Sequence, residues 1–236
     1  MQVQSTLLFE SVEEIYERVF RQLRPRTVPP AIVVRFCRFA NVNSFIRLSA
    51  GQLEVRIADV LEGAPAPIQE ALAFILVGKL FRKPISEAYA NRYRLWLNRS
   101  DVRKQVSLVR RVRGRKLFNP PQGELHDLEA MFEDLNVRFF GGLMARPAIG
   151  WSRRQSRTML GHYDPSHHAI VLSKSLDQPG VPKIAVEYVM YHEMLHLRYP
   201  TQHKGTRRCV HTPEFKAAEK QFPGLVEARA ALKKLN

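Results

Sequence analysis

The chain has 236 residues, of which 45% are hydrophobic and 25% charged, as in an ordinary globular protein with one large domain or two small ones. No apolar stretch reaches the roughly 20 residues that a bilayer needs, and the start shows no basic leader of a signal peptide. The two cysteines, Cys37 and Cys209, lie too far apart for a disulfide framework or a Cys-x-x-Cys zinc ribbon. These features argue against a membrane or secreted protein and predict a cytoplasmic one.

The basic charge is concentrated in the middle of the chain. Lys and Arg number 37 against 22 acidic residues, a net charge of +15, and residues 101–122 alone contribute +6 while 1–100 and 123–236 contribute +5 and +4. We interpret 101–122 as a basic connector, helical as far as Gly114, between a domain at 1–100 and a domain at 123–236. Its cations are candidate phosphate contacts for DNA: Arg103, Lys104, Arg110, Arg111, Arg113, Arg115 and Lys116. The alternative is a solvated helix face without a ligand.

The two halves of the chain repeat one pattern at an offset of 115–117 residues. Four segments align in order: VEEIYERV with LEAMFEDL, PPAIVVR with RPAIGWS, VRIADVL with IVLSKSL, and IQEALAFILVGKLFRKP with IAVEYVMYHEMLHLRYP. We interpret this as an internal duplication, against the alternative of two unrelated units with similar patterning. Both readings predict an α+β fold.

The second half reads as a helix, a small sheet and a second helix. Apolar residues at helical spacing predict a helix over 123–139, ended by Gly141-Gly142. Short apolar runs at 147–151, 158–163 and 168–173 predict strands. A further helix is expected over 182–198, and Thr212-Pro213 has the form of an N-cap followed by the first position of another.

The second of these helices contains the sequence His-Glu-Met-Leu-His at 192–196. Residues four apart share a helix face, so His192 and His196 can bind one zinc ion, while Glu193 lies about 100° round the helix. A carboxylate there can take a proton from a metal-activated water and pass it to a leaving amine. A core helix without a metal would have to bury two imidazoles and a carboxylate, which is costly. The motif therefore predicts a zinc site with Glu193 as general base.

A catalytic zinc site needs a third protein ligand and an open position. Three downstream residues are candidates: His203, His211 and Glu214. The spacing favours His211, because it directly precedes a helix start that can hold its ring in place. His203, in the polar segment TQHKGTRR, and Glu214 remain alternatives.

Several segments in this order resemble the SprT-like metallopeptidase family: LNVRFFGGLMARPAIGWS, TMLGHYD, AIVLSKSL, YHEMLH and VHTPEF, within about residues 123–222. That family includes the Spartan proteases, which degrade proteins crosslinked to DNA. The resemblance implies that His192, His196 and His211 bind zinc and that Glu193 is the general base. It also implies a zincin-like fold, with a small mixed sheet packed on the motif helix and an edge strand, here 168–173, that can pair with an extended substrate. The four-cysteine zinc ribbon of many members has no equivalent here.

The duplication has a consequence for the first half. At the aligned positions of His192, Glu193 and His196 the first half has Leu76, Val77 and Leu80, so we expect a degenerate copy without a metal site. The favoured function is a zinc endopeptidase whose substrates are proteins held near DNA. One alternative is a nucleic-acid-binding protein with a structural zinc, in which Glu214 or Cys209 would complete a closed tetrahedral site. Another is a peptidase without any DNA partner.

Overall fold

The computed structural model describes residues 10–235, and the chain divides after Gly114 into two units. Both units are α+β. The first contains α1 (Val12–Leu23), β1 (Ala31–Cys37), β2 (Ser44–Ser49), β3 (Gln52–Ala58), α2 (Ala66–Leu80), α3 (Glu87–Leu97) and α4 (Ser100–Arg113). The second contains α5 (Leu128–Phe140), β4 (Ala148–Trp151), β5 (Gly161–Asp164), β6 (Ala169–Leu172), α6 (Lys183–Arg198), β7 (Gln202–Lys204), β8 (Arg207–Cys209), α7 (Pro213–Glu219) and α8 (Leu225–Lys233). None of these helices is long and apolar enough to cross a membrane.

The two units have the same sheet topology. In the first, the strand order is β1-β3-β2, with β1 parallel and β2 antiparallel to β3. In the second, the order is β4-β6-β5, with β4 parallel and β5 antiparallel to β6. Each sheet is preceded by one helix, followed by a single 3-10 turn and then by a second helix, and corresponding elements begin 115–117 residues apart. The predicted small mixed sheet is thus present in both units.

The strand predicted as the edge of the second sheet is its centre. The interval 168–173 contains β6, which lies between β4 and β5, and all four residues of β6 are at most 3% exposed. The outer side of β4 is paired at Trp151 with Asn119 through two backbone hydrogen bonds. Within the described residues β5 has no strand on its outer side, so β5 is the open edge.

Helix α5 begins five residues later than its apolar periodicity predicts. Asp127 is the N-cap and accepts hydrogen bonds from the backbone N–H groups of Glu129 and Ala130. The preceding turn is held instead by Asp177, whose carboxylate accepts from the backbone N–H groups of Glu124, Leu125 and His126 at 2.6–3.1 Å. These bonds come from a residue more than 50 positions away, so local spacing does not reveal them.

The predicted connector is divided between the two units. Helix α4 ends at Arg113, with Gly114 as its C-cap, as the sequence predicts. However, α4 belongs to the first unit: Val102 is buried, and the Arg113 guanidinium lies 2.6 Å from an Asp59 carboxylate oxygen. The rest of the connector, from Arg115, belongs to the second unit.

Candidate metal centre

Helix α6 carries the motif on a largely buried helix. It spans Lys183–Arg198, and its apolar side chains pack against β5, β6 and α5. His192 and His196 are partly exposed, whereas Glu193 is only 5% exposed. The helix therefore presents two imidazoles at its surface and turns the intervening carboxyl group inward.

The third histidine is held at the start of α7. After α6 the chain forms the hairpin β7–β8 and returns to His211, which stands just before the N-cap Thr212. The Thr212 hydroxyl accepts a hydrogen bond from the backbone N–H of Phe215 at 3.3 Å, and Pro213 occupies the first helical position, as predicted. This rigid helix start fixes His211 opposite α6.

The structure brings His192, His196 and His211 together. One ring nitrogen from each lies within 4.8 Å of the others, and the three ring centroids are 5.0–5.1 Å apart. Phe215 is fully buried beneath them, with its ring centroid 4.7–5.0 Å from each imidazole. In the described part of the chain this group contains no fourth potential ligand, and His203 and Glu214 are outside it.

The electrostatics of the site suit a cation. Burial lowers the pKa of His192, and burial together with the neighbouring His192 and His211 lowers the pKa of His196 to about 4. Both imidazoles are therefore neutral at pH 7, the form in which a ring nitrogen can bind a metal ion. Three imidazoles on an apolar floor are a donor set typical of zinc. The residues present thus fit a zinc ion.

Glu193 lies against β5 and forms no ion pair with any residue in the described range 10–235. Burial raises its pKa to about 8, and the backbone N–H of Tyr163 opposes this shift. A Cβ atom added at Gly161 would lie 2.8 Å from Oε1 of Glu193 and 2.8 Å from a methyl carbon of Val189. The absence of a side chain at Gly161 therefore gives the Glu193 carboxyl group its place between α6 and the open edge strand.

A second carboxylate contacts the site from α7. Oε1 of Glu219 lies 2.7 Å from Nδ1 of His192. Burial raises the pKa of Glu219, but hydrogen bonds from His192 and Tyr188 outweigh this effect, so that its pKa is below the ordinary value and the group is ionised at neutral pH. The sequence pattern did not point to Glu219. A signal was available, since metal-binding histidines usually donate their second ring N–H to a carboxylate, and Glu219 follows Phe215 by one helical turn.

The seven predicted phosphate contacts have different environments. Arg113 is paired with Asp59, and the Lys116 ammonium lies 2.6 Å from Nε2 of His162 and 3.3 Å from the Asp164 carboxylate. The remaining five side chains are exposed: Arg103, Lys104, Arg110, Arg111 and Arg115. At 100° per residue, the four of these on α4 fall within an arc of about 120°. We call Arg103, Lys104, Arg110 and Arg111 the basic stripe.

Residues 128–231 match the family model described as the SprT-like family. The match runs from the start of α5 into α8 and includes the three histidines, Glu193 and Glu219. It confirms the resemblance that the sequence motifs indicate for this part of the chain. Neither a curated protein nor a solved structure matches.

Proposed function

We propose that this chain, whose residues 128–231 belong to the SprT-like family, is a zinc-dependent endopeptidase that acts on proteins associated with DNA. The observation that supports it best is the grouping of His192, His196 and His211 beside the buried carboxyl group of Glu193. Three protein ligands without a fourth are the arrangement of a catalytic zinc site, whereas structural sites are closed by four.

Each residue of the site has a separate role in this proposal. The three imidazoles would hold zinc, which when bound supplies Lewis acidity at a substrate carbonyl and an attacking water. Glu193 takes the proton of that water and delivers it to the leaving amine. Its raised pKa in the metal-free protein reflects burial without a cationic neighbour, and a nearby positive charge favours the ionised form that a base requires.

The substrate chain would bind along β5. This strand has a free outer side in the described structure, and its residues Gly161 and Tyr163 lie next to Glu193. An extended peptide that adds to β5 as a further strand gains backbone hydrogen bonds and brings its scissile bond close to the general base. We therefore assign to β5 the pairing role that the family resemblance implied for 168–173.

Zinc content and proteolysis of the purified chain test this proposal. We expect about one zinc per chain, and a Glu193→Gln variant that retains zinc but cleaves a casein or histone substrate roughly 10²–10⁴ times more slowly. Glu187→Gln is the matched control, because Glu187 lies on the same helix and forms ion pairs with Lys183 and Arg138 away from the histidines. Full proteolysis by a zinc-loaded Glu193→Gln protein would show the mechanism to be wrong.

The DNA partner is proposed from the basic stripe. Its four cations are exposed on one face of α4 and can neutralise several phosphates without reading a sequence. Exposed cations also lie in the hairpin β7–β8. One of them, Arg208, is close enough to the metal centre that its charge adds to burial and the two neighbouring histidines in lowering the pKa of His196. This arrangement supports DNA-associated proteins as the substrate class.

The salt dependence of duplex binding tests this partner. Changing the four stripe residues to Gln is expected to make the slope of log affinity against log salt shallower by roughly 3–4, because each neutralised phosphate contributes about 0.9 to that slope. The control changes the same number of exposed cations elsewhere, Lys216, Lys220, Lys233 and Lys234. Equal effects of the two variants would mean that only net charge matters and would remove the stripe from the proposal. Cleavage should also be measured with and without duplex DNA.

We propose further that the first unit is a degenerate copy of the second. Their common element order, strand order and strand directions support this origin. The burial pattern of α2 repeats that of α6 at an offset of 117, one more than the sequence alignment uses. At this offset Ile75, Leu76 and Lys79 occupy the positions of the motif residues. None of them binds zinc.

The second candidate function is a nucleic-acid-binding protein whose zinc is structural. The basic stripe and the net charge of +15 favour it. It predicts tightly bound zinc, salt-dependent DNA binding and no cleavage of any protein substrate, with or without DNA. That combination of results would replace the endopeptidase proposal.

A further inference from the structure

Glu219 makes the contact that defines which nitrogen of His192 is free. An ionised carboxylate can only accept hydrogen bonds, so the 2.7 Å contact with Oε1 requires that Nδ1 of His192 carries the proton. In a neutral imidazole the other nitrogen, Nε2, then has its lone pair available. The contact also restricts rotation of the ring about its χ2 bond. Glu219 thus selects one tautomer and one orientation of this side chain.

Two further side chains hold Glu219 in place. The Tyr188 hydroxyl donates to Oε1 at 2.9 Å, and a terminal nitrogen of Arg229 donates to Oε2 at 3.1 Å. Nε of Arg229 also donates to the Tyr188 hydroxyl at 3.1 Å, which closes a three-residue network. The Glu219 side chain is only 12% exposed, so its contacts with His192 and Tyr188 are partly shielded from water, whereas the Arg229 side chain is 51% exposed. Residues from α6 and α8 therefore hold the α7 carboxylate that contacts the His192 imidazole.

The other two histidines lack this support. Among residues 10–235, no carboxylate forms a hydrogen bond with His196 or His211. The network is thus specific for His192, and it uses α8, which lies beyond every residue of the His-Glu-x-x-His motif and beyond His211.

We propose that Glu219 is a positioning residue for zinc binding, and that Tyr188 and Arg229 act through it by fixing its carboxylate. The inference rests on the zinc binding proposed above and does not depend on proteolysis. It deepens that proposal by adding three supporting residues to the three histidines and Glu193.

Zinc affinity measured by competition with a chromophoric chelator tests the assignment. We expect Glu219→Gln, which keeps the shape of the side chain but removes its charge, to weaken zinc binding 10- to 100-fold. Tyr188→Phe and Arg229→Gln should weaken it less, because Glu219 remains in contact with His192. Asp59→Asn is the matched control, since it breaks an ion pair of 2.6 Å in the first unit and should leave zinc affinity unchanged.

The stability of the zinc-free variants separates positioning from a general structural role. If Glu219→Gln lowers zinc-free stability to urea but leaves zinc affinity as in the wild type, the contact only ties α7 to α6 and the proposal is overturned. If Glu219→Gln does not fold, the same comparison is made with Tyr188→Phe and Arg229→Gln, for which a weakening of at least about threefold is expected and no change overturns the proposal.

The tautomer of His192 provides a readout that needs neither zinc nor activity. In ¹⁵N spectra of the metal-free wild type, with His192→Gln used for assignment, we expect a protonated Nδ1 and an unprotonated Nε2. A predominant Nε2–H form would overturn the assignment of Glu219 even in a protein that binds zinc and cleaves its substrates. Conversely, the Nδ1–H form in a chain without proteolytic activity would leave Glu219 as a positioning residue and remove the endopeptidase proposal alone.

Discussion

Helices α2 and α6 occupy the same place in two units of identical sheet topology, but they carry different side chains at the positions of the motif. In α2, Leu76 is 7% exposed at the position where α6 buries Glu193, which is 5% exposed. Lys79 is exposed where α6 presents His196. The same sheet topology therefore accommodates a helix with aliphatic side chains at two of these positions or a helix with the His-Glu-x-x-His motif.

The larger difference between the units lies after these helices. In the first unit α2 is followed by α3, and the ring of Phe74 stacks on that of Tyr89 with centroids 3.9 Å apart. In the second unit α6 is followed by a hairpin and by α7, which supply His211, Phe215 and Glu219 to the site. The motif helix alone cannot complete a three-histidine centre, so the segment that follows it determines whether the fold has a site.

The largest effect is expected when a histidine of α6 is replaced by the residue that α2 has at the equivalent position. His196→Lys, which introduces the residue found at Lys79, replaces a ligand by a cation beside the remaining two imidazoles. We expect the zinc content after dialysis to fall from about one per chain to none, with affinity lowered by more than roughly 10³-fold. The reciprocal Lys79→His serves as control and should add no zinc, because Ile75 and Leu76 offer no ligand atoms. Retention of stoichiometric zinc by His196→Lys would rule out the three-histidine site.

The next largest effect is expected on the pH dependence of stability, because α6 buries the titratable Glu193 where α2 buries Leu76. Below the ordinary pKa of 4.5 Glu193 is protonated in both the folded and the unfolded chain. As pH rises toward its folded pKa of about 8, only the unfolded chain loses the proton, so the free energy of unfolding falls. At pH 7 this loss is about 3 kcal/mol in zinc-free protein, and it levels off above pH 8.

Glu193→Gln removes this titration. Urea unfolding in the presence of a chelator should show a difference in stability between Glu193→Gln and wild type that grows from pH 4.5 to pH 8. All other titratable groups are common to both proteins, so their contributions cancel in the difference. A difference independent of pH would mean that Glu193 keeps an ordinary pKa in the folded chain.

A smaller effect is expected at the edge strand. Gly161→Ala places a Cβ atom 2.8 Å from the Glu193 carboxyl group and from Val189, so the proposed general base must move. We expect proteolysis to fall roughly tenfold to a hundredfold while zinc content is retained. Gly63→Ala, where a Cβ atom meets nothing within 4 Å, is the control and should be active. Loss of zinc in Gly161→Ala would instead indicate that the whole helix has shifted.

The smallest effect is expected on the solvent side of α2. Lys79 is exposed and forms no ion pair in the described structure, so Lys79→Ala should change the free energy of unfolding by less than about 0.5 kcal/mol. Leu76→Ala, three residues earlier on the buried side, should cost about 2–5 kcal/mol. Similar values for both would contradict the burial pattern on which the comparison with α6 rests.

The sequence alone determined the features that follow from local spacing. The bounds of α6 and of the three strands agree with the predicted ones to within about three residues, because apolar periodicity reports which face is buried. The four-residue spacing of His192 and His196 predicts their shared face, and the Thr-Pro helix start after His211 predicts its fixed position. Both are consequences of helix geometry, which a short segment specifies.

Only the tertiary structure decided which strand is the edge, which cations remain free and what supports the metal centre. Strand order arises from pairing between distant segments, so the central position of β6 cannot be inferred from its own four residues. Arg113 and Lys116 resemble the other connector cations in sequence, but they are paired with Asp59 and Asp164, each more than 45 positions away. Glu219 contacts His192 across 27 residues. Such contacts depend on the packing of whole helices and strands, so they cannot be predicted from local composition.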